Sequence, residues 1–368
     1  MKKLLFGLLI VTLLVLPLFS ACTEQAPPTT APAPAPAPTT APAPAAEVIK
    51  MKYSGFLPEP AGPSQVANFM MDYVEKNSGG RVKFERYHGG VLGAPPEQMK
   101  LVTTGSVDFG GGMMTDAEFP LHASYPTFIP GGVKAGSDLQ HKLYVEIPET
   151  SALLQKEITD NNLKYFGPTN SSENGFIAKF NFSSLADLKG KKIGVDSGRV
   201  QTVVNELGMV GVVVQIPDMY EALARGLVDG STLSLIGMAE MKWFEVTKCY
   251  MSDGTSISAN TLPMLNLNTW NRLPADIQKV FLDSAGPSSE FCVKYFEEGN
   301  NKHRQTLRDA GLVVGDLSEA DKTLLFSTYI KKWYQDSLET AGKQGKAEQA
   351  KLIWKYASEA VGGLPLPE

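Results

Sequence analysis

The side chains that could carry covalent chemistry are few and poorly spaced for it. No two histidines stand four residues apart, as a helical metal-binding pair would, and no Gly-x-Ser-x-Gly nucleophile elbow occurs. Gly110–Gly112 lacks the Gly-Lys-Ser/Thr ending of a phosphate loop, and Gly89–Gly93 has the wrong spacing for a dinucleotide turn. We interpret both glycine runs as close-packed turns. The sequence argues against an enzyme, a cofactor or a metal site, and it predicts structural or surface roles for His88, His122, His141 and His303.

The first residues of the chain form an export signal. Lys2 and Lys3 precede an apolar run, Leu4 to Leu18, of about 15 residues, which is shorter than the ~20 that a membrane-spanning helix needs. Small residues then lead to Cys22, which is typical of a lipoprotein signal peptide. We expect residues 1–22 to be that signal and Cys22 to carry the lipid. Plain cleavage is the alternative, because Phe19 stands where an aliphatic residue is usual.

Composition divides the rest into a tether and a folded body. Residues 23–46 are almost entirely Ala, Pro and Thr, which cannot bury a core and favour an extended chain. The body, residues 47–368, is long enough for two lobes. A net charge of −5 without a basic cluster argues against nucleic acid as a partner. A body of this size needs no disulfide, so we favour buried thiols for Cys249 and Cys292.

The body opens with alternating strand and helix patterns. Residues 48–53 and 81–87 alternate apolar with charged side chains, and Ser64 is placed to cap a helix between them that closes at Gly79-Gly80. This order favours an α/β fold with a parallel sheet.

One unit occurs twice. A helix over 95–104 is followed by Gly105-Ser106-Val107-Asp108, and a helix over 218–225 is followed by Gly226-Leu227-Val228-Asp229. In each, glycine suits the left-handed residue that ends a helix, and Val-Asp opens the next strand. The repeat indicates either two similar lobes or a coincidence within a common turn.

Further elements follow towards the carboxyl end. A short helix at 185–189 leads into a strand at 191–195, and Pro274 opens a helix through Phe281. The remainder is predicted to be helical, with Leu325, Tyr329 and Trp333 in one packed stripe on a long helix that ends near Gly342.

Five motifs, in this order, resemble the solute-binding proteins of TRAP transporters, the DctP-like family. They are His88 to Gly93 with Glu97 and Gly105 to Asp108; Leu188 to Ile193; Tyr220 to Leu223; Gly226 to Gly230; and Trp270 to Gln278.

The resemblance implies a fold and a function. The fold is α/β, a two-lobed periplasmic-binding-protein-like fold of type II style with a long C-terminal bracing helix. We expect lobe I at 47–170 plus 262–286 and lobe II at 171–261 plus 287–368. The implied function is to capture a small solute, usually an organic acid, by hinge closure and to deliver it to TRAP-type permease subunits. The protein would work on the periplasmic or extracellular face of the plasma membrane, lipid-anchored. A protein that presents its ligand to a membrane sensor, and an exported enzyme, are the alternatives.

The chain departs from the family where ligand contacts are expected. Most members of the family have an arginine that pairs with the ligand carboxylate, and this chain has Gly194 at that position. A second arginine of the family would fall near Asn174, and an asparagine of the family would fall near Leu233. Either Arg199 replaces the missing guanidinium or it is a solvated helix-start residue. Another possibility is a neutral or zwitterionic ligand held by aromatic and amide groups. The candidate ligand contacts are Arg199, Asn174, Tyr220, Trp243, Met113, Phe56 and Glu97.

Overall fold

Two β-sheets organise the chain in the computed structural model, which describes residues 47–112, 114, 117–167, 171–258, 263–364 and 366–367. The strands are β1 (Ile49–Gly55), β2 (Val82–Tyr87), β3 (Phe109–Gly111), β4 (Phe128–Pro130), β5 (Leu163–Lys164), β6 (Ser171–Ala178), β7 (Lys192–Val195), β8 (Val210–Val213), β9 (Gly230–Ser234), β10 (Cys249–Ser258), β11 (Pro263–Asn266) and β12 (Val313–Asp316). The helices are α1 (Gly62–Asn77), α2 (Gln98–Thr103), α3 (Gly132–His141), α4 (Pro148–Asp160), α5 (Gly198–Glu206), α6 (Met219–Ala224), α7 (Leu235–Glu240), α8 (Leu267–Arg272), α9 (Ala275–Asp309), α10 (Glu319–Lys343) and α11 (Ala347–Ala360).

Both sheets are mixed, and each contains parallel strands. The first has the order β2-β1-β3-β11-β5, with β1 parallel to β2 and β3. The second has the order β12-β10-β6-β9-β7-β8, with β4 paired to β10 and β7 parallel to β8 and β9. The predicted α/β class is confirmed. The proposed lobe limits stay a prediction, and the one near Gly286 falls inside the continuous helix α9.

The unit that occurs twice in the sequence has the same local structure in both sheets. Gly105 and Gly226 are left-handed, with φ of 76° and 72°. The carboxylate of Asp108 accepts from the backbone N–H of Lys52 at 2.9 Å, and that of Asp229 accepts from the N–H of Lys192 at 2.8 Å. Each aspartate thus ties the start of its strand to the neighbouring parallel strand.

Two long helices connect the cores of the two sheets. Along α9, Phe281 packs with the first sheet, Phe296 lies in a cluster with α1 and α7, and Leu307 packs with the second sheet. Along α10, the predicted stripe packs against the second sheet, whereas Ala341 joins residues of the first. The long carboxyl-terminal helix expected from the sequence is therefore present.

Some sequence predictions were wrong in detail. Helix α1 begins at Gly62, with proline in its first turn, and the Ser64 hydroxyl donates to the carbonyl of Leu57 instead of capping the helix. The region after α9 is not wholly helical, because β12 pairs in parallel with β10. The expectation of two buried thiols is confirmed, since Cys249 and Cys292 are both buried and are not joined in a disulfide.

Candidate functional site

The carboxyl ends of the parallel strands form one edge of each sheet. In the first sheet β1 and β3 end at Gly55 and Gly111, and in the second β7 and β9 end at Val195 and Ser234. Open α/β sheets bind ligands outside the carboxyl ends of their strands. These two edges are therefore the candidate solute site.

A crevice brings the two edges together. Phe56 and Pro95, which follow strands of the first sheet, line it with Asp196 and Gln215–Pro217, which follow strands of the second. Phe56 is buried here. Its place at the mouth of a ligand cleft and its contact with a ligand both stay predictions.

The first edge is built from closely packed backbone. A Cβ atom on Gly110 would lie 2.7 Å from the carbonyl oxygen of Ser54, and one on Gly112 would lie 2.8 Å from the backbone nitrogen of Met99 in α2. The predicted close packing of this glycine run is confirmed, but the predicted turn is wrong, because Gly110 and Gly111 lie in strand β3. Nearby, the exposed Glu97 accepts from the N–H of Ala94 at 2.9 Å, so its carboxylate closes the turn before α2.

The second edge contains a buried polar cluster of Asn174, Thr232, Asp253 and Thr255. The Asn174 amide donates to Asp253 Oδ2 at 2.6 Å and lies 3.4 Å from the Thr232 hydroxyl. Asp253 Oδ1 accepts from the backbone N–H and the hydroxyl of Thr255, at 2.8 and 2.7 Å. Asn174 Oδ1 is buried and has no hydrogen-bond partner in the part of the chain that the structure describes. A buried acceptor left without a donor costs about 1–3 kcal/mol.

Asp253 is an unusual carboxyl group because it is almost wholly buried, with 1% of its surface exposed. Burial raises its pKa to about 6, although the hydrogen bonds from Thr255 and Asn174 act in the opposite direction. Burial strongly raises the pKa of Tyr329 in α10. The negative charges of Asp253 and Asp196 lie near enough to raise this pKa further. Its ring stacks on Phe128 at 4.3 Å between centroids. The Tyr329 ring, with Phe128 stacked on it, is thus an aromatic neighbour of the cluster.

Two positions that carry polar ligand contacts in the resembling family are filled by core packing. A Cβ atom on Gly194 would lie 2.4 Å from Sδ of Met219. Leu233 belongs to the core cluster on that same side of the second sheet. These apolar contacts explain how the chain does without the customary side chains there.

Arg199 is neither solvated nor extended into open space. Only 8% of its surface is exposed, its guanidinium donates to the carbonyl of Ala123 at 2.5 Å, and it lies over the Trp333 ring at 4.7 Å. Its Nε is 4.0 Å from Asp336 Oδ2. The solvated alternative is therefore wrong, and these contacts give Arg199 a structural role that joins α5, α10 and the loop at Ala123.

The other candidates lie elsewhere. Trp243 is buried in the core on the face of the second sheet that carries Ile177. Asn174 and Phe176 lie on the opposite face of that sheet. Tyr220 donates its hydroxyl to Glu245 at 3.0 Å. Met113 and Cys22 fall outside the described residues.

Sequence reasoning missed a polar connection between the two halves of the molecule. Glu240 of α7 accepts from the N–H of Gly62 at the start of α1, at 2.9 Å, and from the Tyr295 hydroxyl of α9, at 2.8 Å. Burial raises the pKa of Glu240, while these two hydrogen bonds lower it. No local signal marks the residue, because its partners are distant in the chain. Asp253 was also missed, although a charged residue before glycine within a long strand is a usable sign of a bulge.

The described ranges contain neither a metal-binding cluster nor a membrane-spanning helix. No group of three or more His, Cys, Asp or Glu side chains there is arranged to hold a metal. No helix in that part of the chain combines the length and apolar character that crossing a membrane requires. His122 is buried, and burial lowers its pKa to about 3.

Two sheets with facing edges, connected by long helices, define a periplasmic-binding-protein-like fold. The model of the DctP family, the bacterial extracellular solute-binding proteins of family 7, matches residues 63–340, so the chain belongs to this family. The C4-dicarboxylate-binding periplasmic protein DctP of Rhodobacter capsulatus is 25% identical over 276 residues, 72% of this chain and 79% of that protein.

Solved structures show the same fold. A TRAP periplasmic solute-binding protein from Desulfovibrio salexigens superposes with a TM-score of 0.70 at 22% identity, covering 85% of this chain and 95% of that one. A marine metagenome TRAP solute-binding protein specific for aromatic acid ligands, in complex with 3-hydroxybenzoate, gives 0.71 at 20% identity, covering 86% and 98%. The predicted family, DctP-like solute-binding proteins of TRAP transporters, and the predicted fold are confirmed.

Proposed function

We propose that this protein captures a small solute between its two sheets outside the cytoplasmic membrane and delivers it, chemically unchanged, to a TRAP-type permease. The observation that carries the proposal is the pair of facing strand edges connected by α9 and α10. Such an arrangement can close on a ligand by hinge motion. The names of similar proteins, which include binders of C4-dicarboxylates and aromatic acids, support a small organic acid as the solute class.

Ligand contacts are proposed first at Phe56 and Asn174, which lie on the two edges. Arg199, Tyr220, Trp243, Glu97 and Met113 rest on family position alone. Arg199, Tyr220 and Glu97 have the hydrogen-bond partners already described, and Trp243 is packed in the core.

The proposed location is the outer face of the plasma membrane, through a lipid on Cys22. The signal and the 23–46 tether support it, since an extended tether would hold the body away from the membrane surface. Incorporation of labelled palmitate into the wild type but not into Cys22→Ser tests the anchor. Equal labelling of both would contradict it.

A thermal denaturation screen of the purified protein against organic acids, amino acids, sugars and neutral amides tests solute binding. A ligand at a hundredfold excess over its Kd stabilises by about 2.7 kcal/mol, which raises Tm by several degrees. Delivery is tested by uptake of the hit in cells that contain the permease, with and without this protein. Equal uptake in both would contradict the transport function.

A further inference from the structure

The polar cluster of the second edge contains one buried oxygen, Asn174 Oδ1, whose hydrogen-bonding capacity the described residues leave unused. Both described donor contacts of the Asn174 amide are made by Nδ2, to Asp253 and to Thr232, so Oδ1 remains as an acceptor that these two contacts do not use. Asn174 has no exposed surface, and Oδ1 has no hydrogen-bond partner among the described residues. Buried acceptors of this kind are normally satisfied, so a donor from outside the described polypeptide is expected there.

The cluster lies where a solute would meet the second sheet. Asn174 is paired with Ser234, the last residue of β9, and therefore lies at the carboxyl edge of the parallel strands. Asp196, which lines the crevice between the two edges, and Asp253 both act electrostatically on Tyr329. The polar cluster and the crevice thus belong to one neighbourhood.

The charge of this neighbourhood favours a donor. Burial raises the pKa of Asp253, and no basic side chain among the described residues contributes to lowering it. Arg199, the guanidinium on the neighbouring helix α5, lies over Trp333 and donates to the Ala123 carbonyl. A ligand carboxylate placed beside Asp253 would meet a like charge in a poorly solvated site, whereas an ammonium group would be attracted.

We propose that the solute presents an ammonium or amide N–H group to Asn174 and Asp253, so that the ligands are amino-group-bearing or amide-bearing small molecules, not acids lacking an N–H donor. This inference rests on the proposed solute-binding function. It restricts the solute class, because a carboxylate elsewhere on the same molecule remains compatible with it.

Mass spectrometry of retained molecules tests the proposal without prior choice of ligand. The purified full-length protein is freed of bound molecules by unfolding and refolding, exposed to a bacterial metabolite extract, washed, and denatured for analysis. Retention of a compound with an ammonium or amide N–H group is expected. Retention only of acids without such a group would overturn the inference and leave solute binding intact. A folded protein that retains nothing would overturn the proposed function and the inference with it.

Two variants then test the residues with the retained compound. Asp253→Asn supplies a neutral amide that can pair with Asn174 internally, so affinity should fall at least tenfold while the protein becomes more stable. A purely structural Asp253 would change stability without changing affinity, and that result would overturn its role. Asn174→Leu should also lower affinity at least tenfold. Asn266→Leu, which removes a buried asparagine satisfied by Val102 and Thr269, is the matched control and should lower stability but not the affinity of the folded protein.

Discussion

The two sheets contain the same repeated unit. In each sheet a serine on one strand is paired with a glycine on the neighbouring parallel strand, but the serine and the glycine have exchanged strands between the two sheets. In the first sheet Ser54 of β1 is paired with Gly110 of β3, and in the second Gly194 of β7 is paired with Ser231 of β9. Ser54 donates to the Gln98 side chain of α2 at 2.7 Å, whereas Ser231 donates to the carbonyl of Gly194 at 2.9 Å. The first serine ties a strand to a helix, and the second ties two strands together.

The opposite placement of serine and glycine shows how the same strand arrangement can form two different sheet edges. In the first sheet, glycines let strand and helix backbones approach, which leaves a tightly packed edge. In the second sheet, the edge holds a carboxyl group, an amide and two hydroxyls out of water. The first edge therefore contributes shape to the site, and the second contributes polarity.

The largest expected effect comes from removing the buried charge of the second edge. The folded-state pKa of Asp253 is raised to about 6 from 3.8, so the folded protein holds this proton more tightly than the unfolded chain. Ionisation of Asp253 therefore destabilises the folded protein. This loss of unfolding free energy is absent below about pH 4, grows as the pH rises, and reaches its full size, on the order of 3 kcal/mol, above about pH 6. Asp253→Asn should lack this contribution.

Urea unfolding of the wild type and of Asp253→Asn between pH 4 and 7 measures the contribution of Asp253 ionisation to the unfolding free energy. The variant's advantage in unfolding free energy should increase with pH across this window. Parallel curves for the two proteins would refute the buried, titrating carboxyl.

A second prediction concerns the packed edge of the first sheet. Gly110→Ala should lower the unfolding free energy by about 2 kcal/mol, because its Cβ would lie 2.7 Å from the backbone oxygen of Ser54, which cannot rotate away. Gly286→Ala in α9 is the control, since its Cβ meets nothing within 4 Å, and it should stabilise slightly. Chemical denaturation measures both, and equal effects would remove the steric explanation.

A third prediction tests whether the repeated unit is energetically equivalent in the two sheets. Asp108→Ala and Asp229→Ala each remove a carboxylate that accepts from a strand N–H, and each should cost about 1 kcal/mol. Asp108→Ala should cost more, because Asp108 also accepts from the Thr269 hydroxyl at 2.8 Å. Chemical denaturation of the two variants measures the loss of unfolding free energy. A larger loss for Asp229→Ala than for Asp108→Ala would contradict this ranking.

The smallest effect is expected at Gly194. An added Cβ there would meet Sδ of Met219, a flexible side chain that can change rotamer, so Gly194→Ala should cost less than about 1 kcal/mol. Urea denaturation beside Gly110→Ala gives the comparison. A loss as large as that of Gly110→Ala would show that Met219 cannot move.

Elements with strong local signals could be predicted from the sequence. The glycines at 105 and 226 adopt the left-handed backbone that their position after a helix suggests, and the Tyr329 stripe is buried as its spacing indicates. Strand β12 was missed because its pairing with β10 is decided by distant residues. Arg199 was expected at the ligand or in solvent, and neither alternative anticipated its contact with Trp333.

The sequence by itself determined the family, the α/β class and the repeated unit, because these depend on residues close together in the chain. The tertiary structure alone decided which polar groups share the second edge. Asn174 and Asp253 are 79 residues apart, and only the pairing of β6 with β10 brings the amide within 2.6 Å of the carboxylate. Contacts of this kind leave no local pattern, because burial and charge at one residue are set by the strand and helix that pack against it.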